Sequence, residues 1–188
     1  MDMKQQRQVV FSFIFFLIST TIQADHFPVG TDVLANCHGF FARGKVKKLY
    51  KERYVVHFYK DARPVHCTPF AWDSMFLVPY EPIDQYTGKL SSKDSFFGGS
   101  TEEVLKVGDK LKISYKASIR GKFLDKKATI TAVIKEINAN GAAQLETVDG
   151  ETEAQQIFQR WVGTNYVTLD FSSLLTADRL TILKAEKE

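Results

Sequence analysis

The chain is 188 residues long and poor in the residues that mark special chemistry: two cysteines, two tryptophans, four histidines and five prolines. Five prolines and eleven glycines exclude a collagen-like or other fibrous repeat. The cysteines and histidines form no Cys-x-x-Cys or His-x-x-x-His spacing, which removes the common zinc signatures. A nucleophile elbow, a zinc-protease motif and a phosphate-cradling glycine loop are also missing, so no catalytic residue, cofactor or metal is assigned. Long apolar runs are scarce: one, Val9 to Ile18, has about half of the ~20 residues that a membrane-crossing helix requires. The net charge of +3 is too small to point to nucleic acid by its sign, which leaves local clustering as the electrostatic signal. The length excludes an eight-stranded α/β barrel, which needs about 250 residues. What is there is the composition of a folded protein, 44% hydrophobic and 25% charged.

The first 24 residues read as an address. Lys4 and Arg7, against Asp2, precede the apolar run, and Ser19-Thr20-Thr21 and Ile22-Gln23-Ala24 follow it. This is the layout of a secretory signal cleaved after Ala24, with a retained amphiphilic anchor as the alternative because Ile22 stands where a small residue is usual. Export to the periplasm or the exterior follows, with no stable membrane span after cleavage. In an oxidising compartment an even cysteine count favours a Cys37–Cys67 disulfide. That bridge closes a loop of about 30 residues and stabilises the fold by about 3 kcal/mol.

From Val29 onward the apolar residues alternate or come in short bursts between Gly, Pro, Asp and Asn, the pattern of strands. In the first unit, residues 25–80, strands are predicted over 32–37, 40–50, 53–59, 65–68 and 76–78. His38-Gly39, Lys51-Glu52 and residues 60–64 supply the turns. Short antiparallel connections of this kind suit a small barrel, since closure removes exposed edges. Residues 81–103 collect Pro, Gly, Ser and charge and read as a linker, in which Phe96-Phe97 docks on a flanking domain or waits for a ligand.

The second unit, residues 104–188, opens with Val107-Gly108 before an alternating strand, as the first opens with Val29-Gly30. Phe70 to Val78 likewise aligns with Leu175 to Leu183. Matching openings and closings predict two copies of one barrel plan. Strands are predicted over 111–116, 128–137, 142–148 and 166–171, with Asn140-Gly141 as a hairpin turn. Residues 153–161 read equally as a strand or as a short helix with Ala154, Ile157, Phe158 and Trp161 on one face.

The segments VGTDVLANCHGFFARGKV, YVVHFY and DSMFLVP resemble a Tudor-like domain of the royal family, a small Src-homology-3-like barrel. The resemblance covers residues 28–80; the second unit is Src-homology-3-like in outline. It implies binding rather than chemistry, since many members hold a methylated cation between aromatic faces. Phe41 and Phe58 fall on the family's cage aromatics, and Tyr59 lies beside the usual Asp. Cys37 stands in place of the usual first-strand Trp, and Lys60-Asp61 alters the acidic turn, which argues against methylated lysine as the partner. Barrel core is the alternative for Phe41 and Phe58.

Two clusters have chemical interest. The pairs Cys37-His38 and His66-Cys67 suggest a metal site, but neighbours in a strand project to opposite faces, so the four cannot readily converge on one ion. Arg43, Lys45, Lys47, Lys48, Lys51 and Arg53, against Glu52, form the sharpest charge cluster, with Tyr50 and Tyr54 interleaved. They suit an anionic polymer, nucleic acid or acidic glycan, or else a solvated strand pair whose lysines discourage edge pairing.

The combined expectation is an exported, non-enzymatic, all-β protein of two tandem barrels, with a short helix as an option in the second. A binding or scaffolding surface of Phe41, Phe58, Tyr59 and Trp72 would take a protein or peptide, with a buried Trp72 as the equal alternative. The rival is anion binding through Arg43, Lys45, Lys47, Lys48 and Lys51. A hydrolase centred on the histidines is third.

Overall fold

The computed structural model describes residues 27–60, 62, 69–90, 102–119, 122–123, 127–171 and 180–188. The class is all-β. In chain order the strands are β1 (Asp32–Cys37), β2 (Phe40–Tyr50), β3 (Arg53–Phe58), β4 (Leu77–Pro79), β5 (Pro82–Ile83), β6 (Gln85–Lys89), β7 (Glu102–Lys106), β8 (Lys110–Ile119), β9 (Lys122–Phe123), β10 (Ala128–Asn138), β11 (Ala142–Gly150), β12 (Tyr166–Thr168) and β13 (Leu180–Lys187). A 3₁₀ turn, Ser74–Phe76, precedes β4, and one helix, α1 (Thr152–Val162), lies between β11 and β12. The predicted strand at 65–68, Phe96-Phe97 and the first 26 residues lie outside the described residues.

Local turn chemistry sets the hairpins. His38 and Gly39 join β1 to β2 with φ of 51° and 86°, and Lys51 and Glu52 join β2 to β3 with φ of 47° and 64°. Two successive positive φ angles give the twist that a two-residue hairpin requires. The two halves then repeat one plan, with strand order β3-β2-β1-β4 in the first and β11-β10-β8-β13 in the second. The matched Val-Gly openings are built alike. Gly30 and Gly108 donate their amides to the carbonyls of Val46 and Ile134, each at 2.8 Å. The amides of Val46 and Ile134 return bonds to Thr31 and Asp109 at 2.9 and 3.0 Å. A bulge follows each, between Val46 and Lys48 and between Ile134 and Glu136.

The expected pair of closed or nearly closed barrels is corrected by the strand pairing. One sheet runs from β13 to β4 without closing, and β12 carries it across the halves by pairing Tyr166 with Phe41 and Val167 with Phe40. The reason is a second apolar face. Val33, Ala35 and Val46 pack with Tyr54, Trp72 and Leu77 on one side of β1 and β2. Leu34 and Phe41 emerge on the other side, where Ala142 and Tyr166 of the second half bury them. A small closed barrel would leave that face in water, at a cost of roughly 25 cal/mol per Å² of apolar surface.

The linker expected over 81–103 is, in its described part, mostly strand. β5 pairs with β10, and β6 and β7 form a two-stranded ribbon with Tyr86 opposite Leu105. Tyr86 lies so close to the 140–141 turn that a Cβ on Gly141 would sit 2.6 Å from its ring. Glycine there serves both this close packing and a φ of 78°. Asn138, buried, accepts the Glu81 amide at 2.5 Å and donates to the Pro79 carbonyl at 3.2 Å, tying the exit of β4 to β10. The ambiguous 153–161 segment is helical: α1 buries Ala154, Ile157, Phe158 and Val162, and its chain leaves through Gly163 at φ 57°. No helix among the described residues is long and apolar enough to cross a membrane.

Candidate functional site

The β2–β3 hairpin presents the charge cluster. β1 pairs with β2 only as far as Lys45, so beyond Val46 the two strands continue as a ribbon past the end of β1. Alternation divides its faces. Val46 and Tyr54 are buried, with Val56 and Phe58 packed against the same core. Lys45 faces His57, Lys48 faces Val55 and Tyr50 faces Arg53 on the outward side. The bulge between Val46 and Lys48 inserts Lys47, which adds another exposed ammonium to the same stretch.

At the ribbon tip, Lys48 Nζ lies 5.9 Å and Lys51 Nζ 5.5 Å from the centre of the Tyr50 ring. Phe70 meets Tyr50 edge-on, with ring centres 5.5 Å apart and planes at 89°. Arg53 Nε pairs with Asp73 at 2.8 Å, and Lys45 lies 3.9 Å from Asp32. Lys47, Lys48 and Lys51 form no ion pair among the described residues. The tip is therefore cationic, with apolar rings set among its lysines.

Arg43, at the opposite end of the outward face, belongs to the joint between the halves. Its guanidinium lies 3.6 Å from the Tyr80 ring centre and 5.1 Å from that of Tyr59, and its buried Nε has no hydrogen-bond partner. The Tyr59 hydroxyl donates to Asp32 at 2.5 Å, a bond that raises its pKa, with lesser help from desolvation. Tyr166 donates to Glu136 at 2.7 Å; burial first, then this acceptor, pushes its phenol up. Burial and Glu136 shift Tyr80 the same way. All three hydroxyls are thus held neutral, as befits a structural joint around one cation.

The expected aromatic surface is not assembled. Phe41 is 5% exposed and packs with Leu34, Ala142 and Tyr166, whereas Trp72 is 4% exposed and belongs to the core on the opposite face of the sheet. Trp72 bridges Tyr54 through its backbone and meets Phe58, itself half-buried, edge-on at 5.9 Å. Tyr59 is exposed, but its hydroxyl is engaged by Asp32. Burial in two separate cores, set by the alternation of β2 and by the Tyr54–Trp72 bridge, is the physical reason. Near the lysines the exposed rings are Tyr50 and Phe70, with Leu49 exposed next to Tyr50 in the chain. The signal for them was an apolar pair, Leu49-Tyr50, at a turn bounded by lysines.

Cys37 is buried in the core with Trp72 and Leu77. Cys67, the only other cysteine in the sequence, lies outside the described residues, as does His66. No group of three metal-binding side chains occurs among the described residues. Compared with known proteins, the chain matches no family model, no curated protein and no solved structure.

Proposed function

We propose that this is an exported, non-enzymatic binding protein that holds a polyanionic partner against the outward face and tip of the β2–β3 hairpin. The observation that carries the reading is the trio Lys47, Lys48 and Lys51, exposed and without ion pairs among the described residues, on a ribbon that projects past β1. Solvated lysines release counterions when a polyanion docks, which drives association at low salt. The leader-like first 24 residues support export, and the Tudor-like outline of residues 28–80 supports binding rather than catalysis. A polypeptide docked on Phe41 and Trp72 has no comparable support, because both rings are buried.

The test is a salt series with soluble polyphosphate as the probe. Affinity is expected to fall steeply with added salt, and the Lys47→Gln/Lys48→Gln variant should flatten the log–log slope by about 1 to 2. A salt-insensitive interaction, or none, rejects the reading.

A further inference from the structure

The tip carries more than charge. Leu49 is 51% exposed and Phe70 is 68% exposed, at the end of the ribbon and beside the lysines. Covering water-facing apolar side chains of this size with a partner would be favourable by roughly 25 cal/mol per Å². A polymer that stacks on rings needs an open aromatic face. Tyr50 offers little, since Lys48 and Lys51 lie over its ring and Phe70 abuts it edge-on. Exposed apolar side chains at the end of the ribbon, Leu49 opposite Tyr54 and Phe70 against Tyr50, share that stretch with three exposed lysines and suit an interface that is apolar inside and anionic outside.

We infer that the polyanionic partner is the surface of an anionic phospholipid bilayer, with Leu49 and Phe70 entering the headgroup–acyl boundary and Lys47, Lys48 and Lys51 meeting the lipid phosphates. The inference rests on the polyanion reading above and names its partner. Charge complementarity selects anionic headgroups, each lysine near such a surface strengthening binding about fivefold. The ribbon continues past the end of β1, and its last pairs, Leu49 with Tyr54 and Tyr50 with Arg53, carry the exposed side chains. Tyr50, with its hydroxyl end polar and its ring apolar, suits the boundary between the two layers.

The experiment is co-sedimentation of the full chain with vesicles of phosphatidylcholine alone and of equal parts phosphatidylcholine and phosphatidylglycerol, alongside the polyphosphate series. Binding to the anionic vesicles and not to the neutral ones is expected. Leu49→Ser and Phe70→Ser should each weaken it by about tenfold, with polyphosphate affinity and thermal unfolding unchanged. Both side chains are exposed, so the fold tolerates the changes. If the serine variants bind anionic vesicles as well as the original chain, or if the chain binds polyphosphate but not vesicles, the membrane inference falls and the polyanion reading stands. If it binds neither, both fall.

Discussion

Phe41 and Tyr166 stand opposite each other in antiparallel register, one from each half of the chain, and both are buried. Their rings share a small core with Leu34 and Ala142, so neither half has a complete interior without the other. Chemical denaturation should therefore give one transition, coincident by fluorescence and by far-UV circular dichroism. Phe41→Ala is expected to lower the stability by about 3 to 5 kcal/mol and to move the whole transition. Two separate transitions, of which the variant shifts one, would show that the halves fold independently.

Gly30 and Gly108 open the two copies of the strand plan with nearly the same φ, 95° and 93°, and a Cβ at either position would meet nothing within 4 Å. The cost of replacing them is then conformational alone. Gly30→Ala and Gly108→Ala should each destabilise by about 1 to 2 kcal/mol, and by equal amounts within error. Gly44→Ala is expected to cost more, because its Cβ would lie 2.5 Å from Val56 Cγ1 and 3.1 Å from the His57 carbonyl. Thermal unfolding of the three variants measures the difference.

What could be read from the sequence was what short stretches decide. Asn140-Gly141 is a turn by its own backbone preference, Lys51-Glu52 is one by its place between two strand patterns although both residues take a positive φ that they disfavour, and the Val-Gly openings announce a repeat because each must bond to the strand opposite. The joint between the halves was hidden, since Leu34 and Phe41 look like any apolar residues until a second surface is known to cover them. Trp72 could be read as an anchor or as core for the same reason: its burial depends on Phe58 and Tyr54, distant in sequence. The basic cluster was legible as charge with Tyr50 in it, but the burial of Tyr54 and the arrival of Phe70 were not. The bulge at Lys47 and the approach of Phe70 to Tyr50 are tertiary facts.

The Cys37–Cys67 bridge, proposed from cysteine count and export, has a direct check. The intact mass of protein isolated without reductant should be two hydrogens below that of the reduced chain, and neither thiol should be labelled. Reduction is expected to destabilise by about 3 kcal/mol. Because Cys37 packs in the same core as Trp72 and Leu77, loss should register in tryptophan fluorescence as well as in the unfolding midpoint. Labelling of both cysteines in non-reduced protein would overturn the bridge.

Tyr115 makes alkaline stability a probe of the second half. Its ring is fully buried against Phe158, and its hydroxyl donates to the Ala154 carbonyl, fastening β8 to α1. Burial pushes this phenol from 10 to about 12, although a bond from the Phe158 amide pulls it part of the way back. A group bound more tightly to its proton in the folded state stabilises that state fully below the unfolded value, near 10. Above it, the unfolded chain gains by ionising, so stability should decline from about pH 10 and be lost as pH rises through about 12. Tyr59, Tyr80 and Tyr166 are shifted in the same direction and steepen the decline. Tyr115→Phe should lower neutral-pH stability by about 1 kcal/mol through the lost hydrogen bond and yet make the alkaline decline shallower. Urea unfolding at stepped pH, with tyrosinate absorbance followed in parallel, separates the two effects. An unchanged alkaline slope in the variant would mean that Tyr115 ionises without opening the contact between β8 and α1.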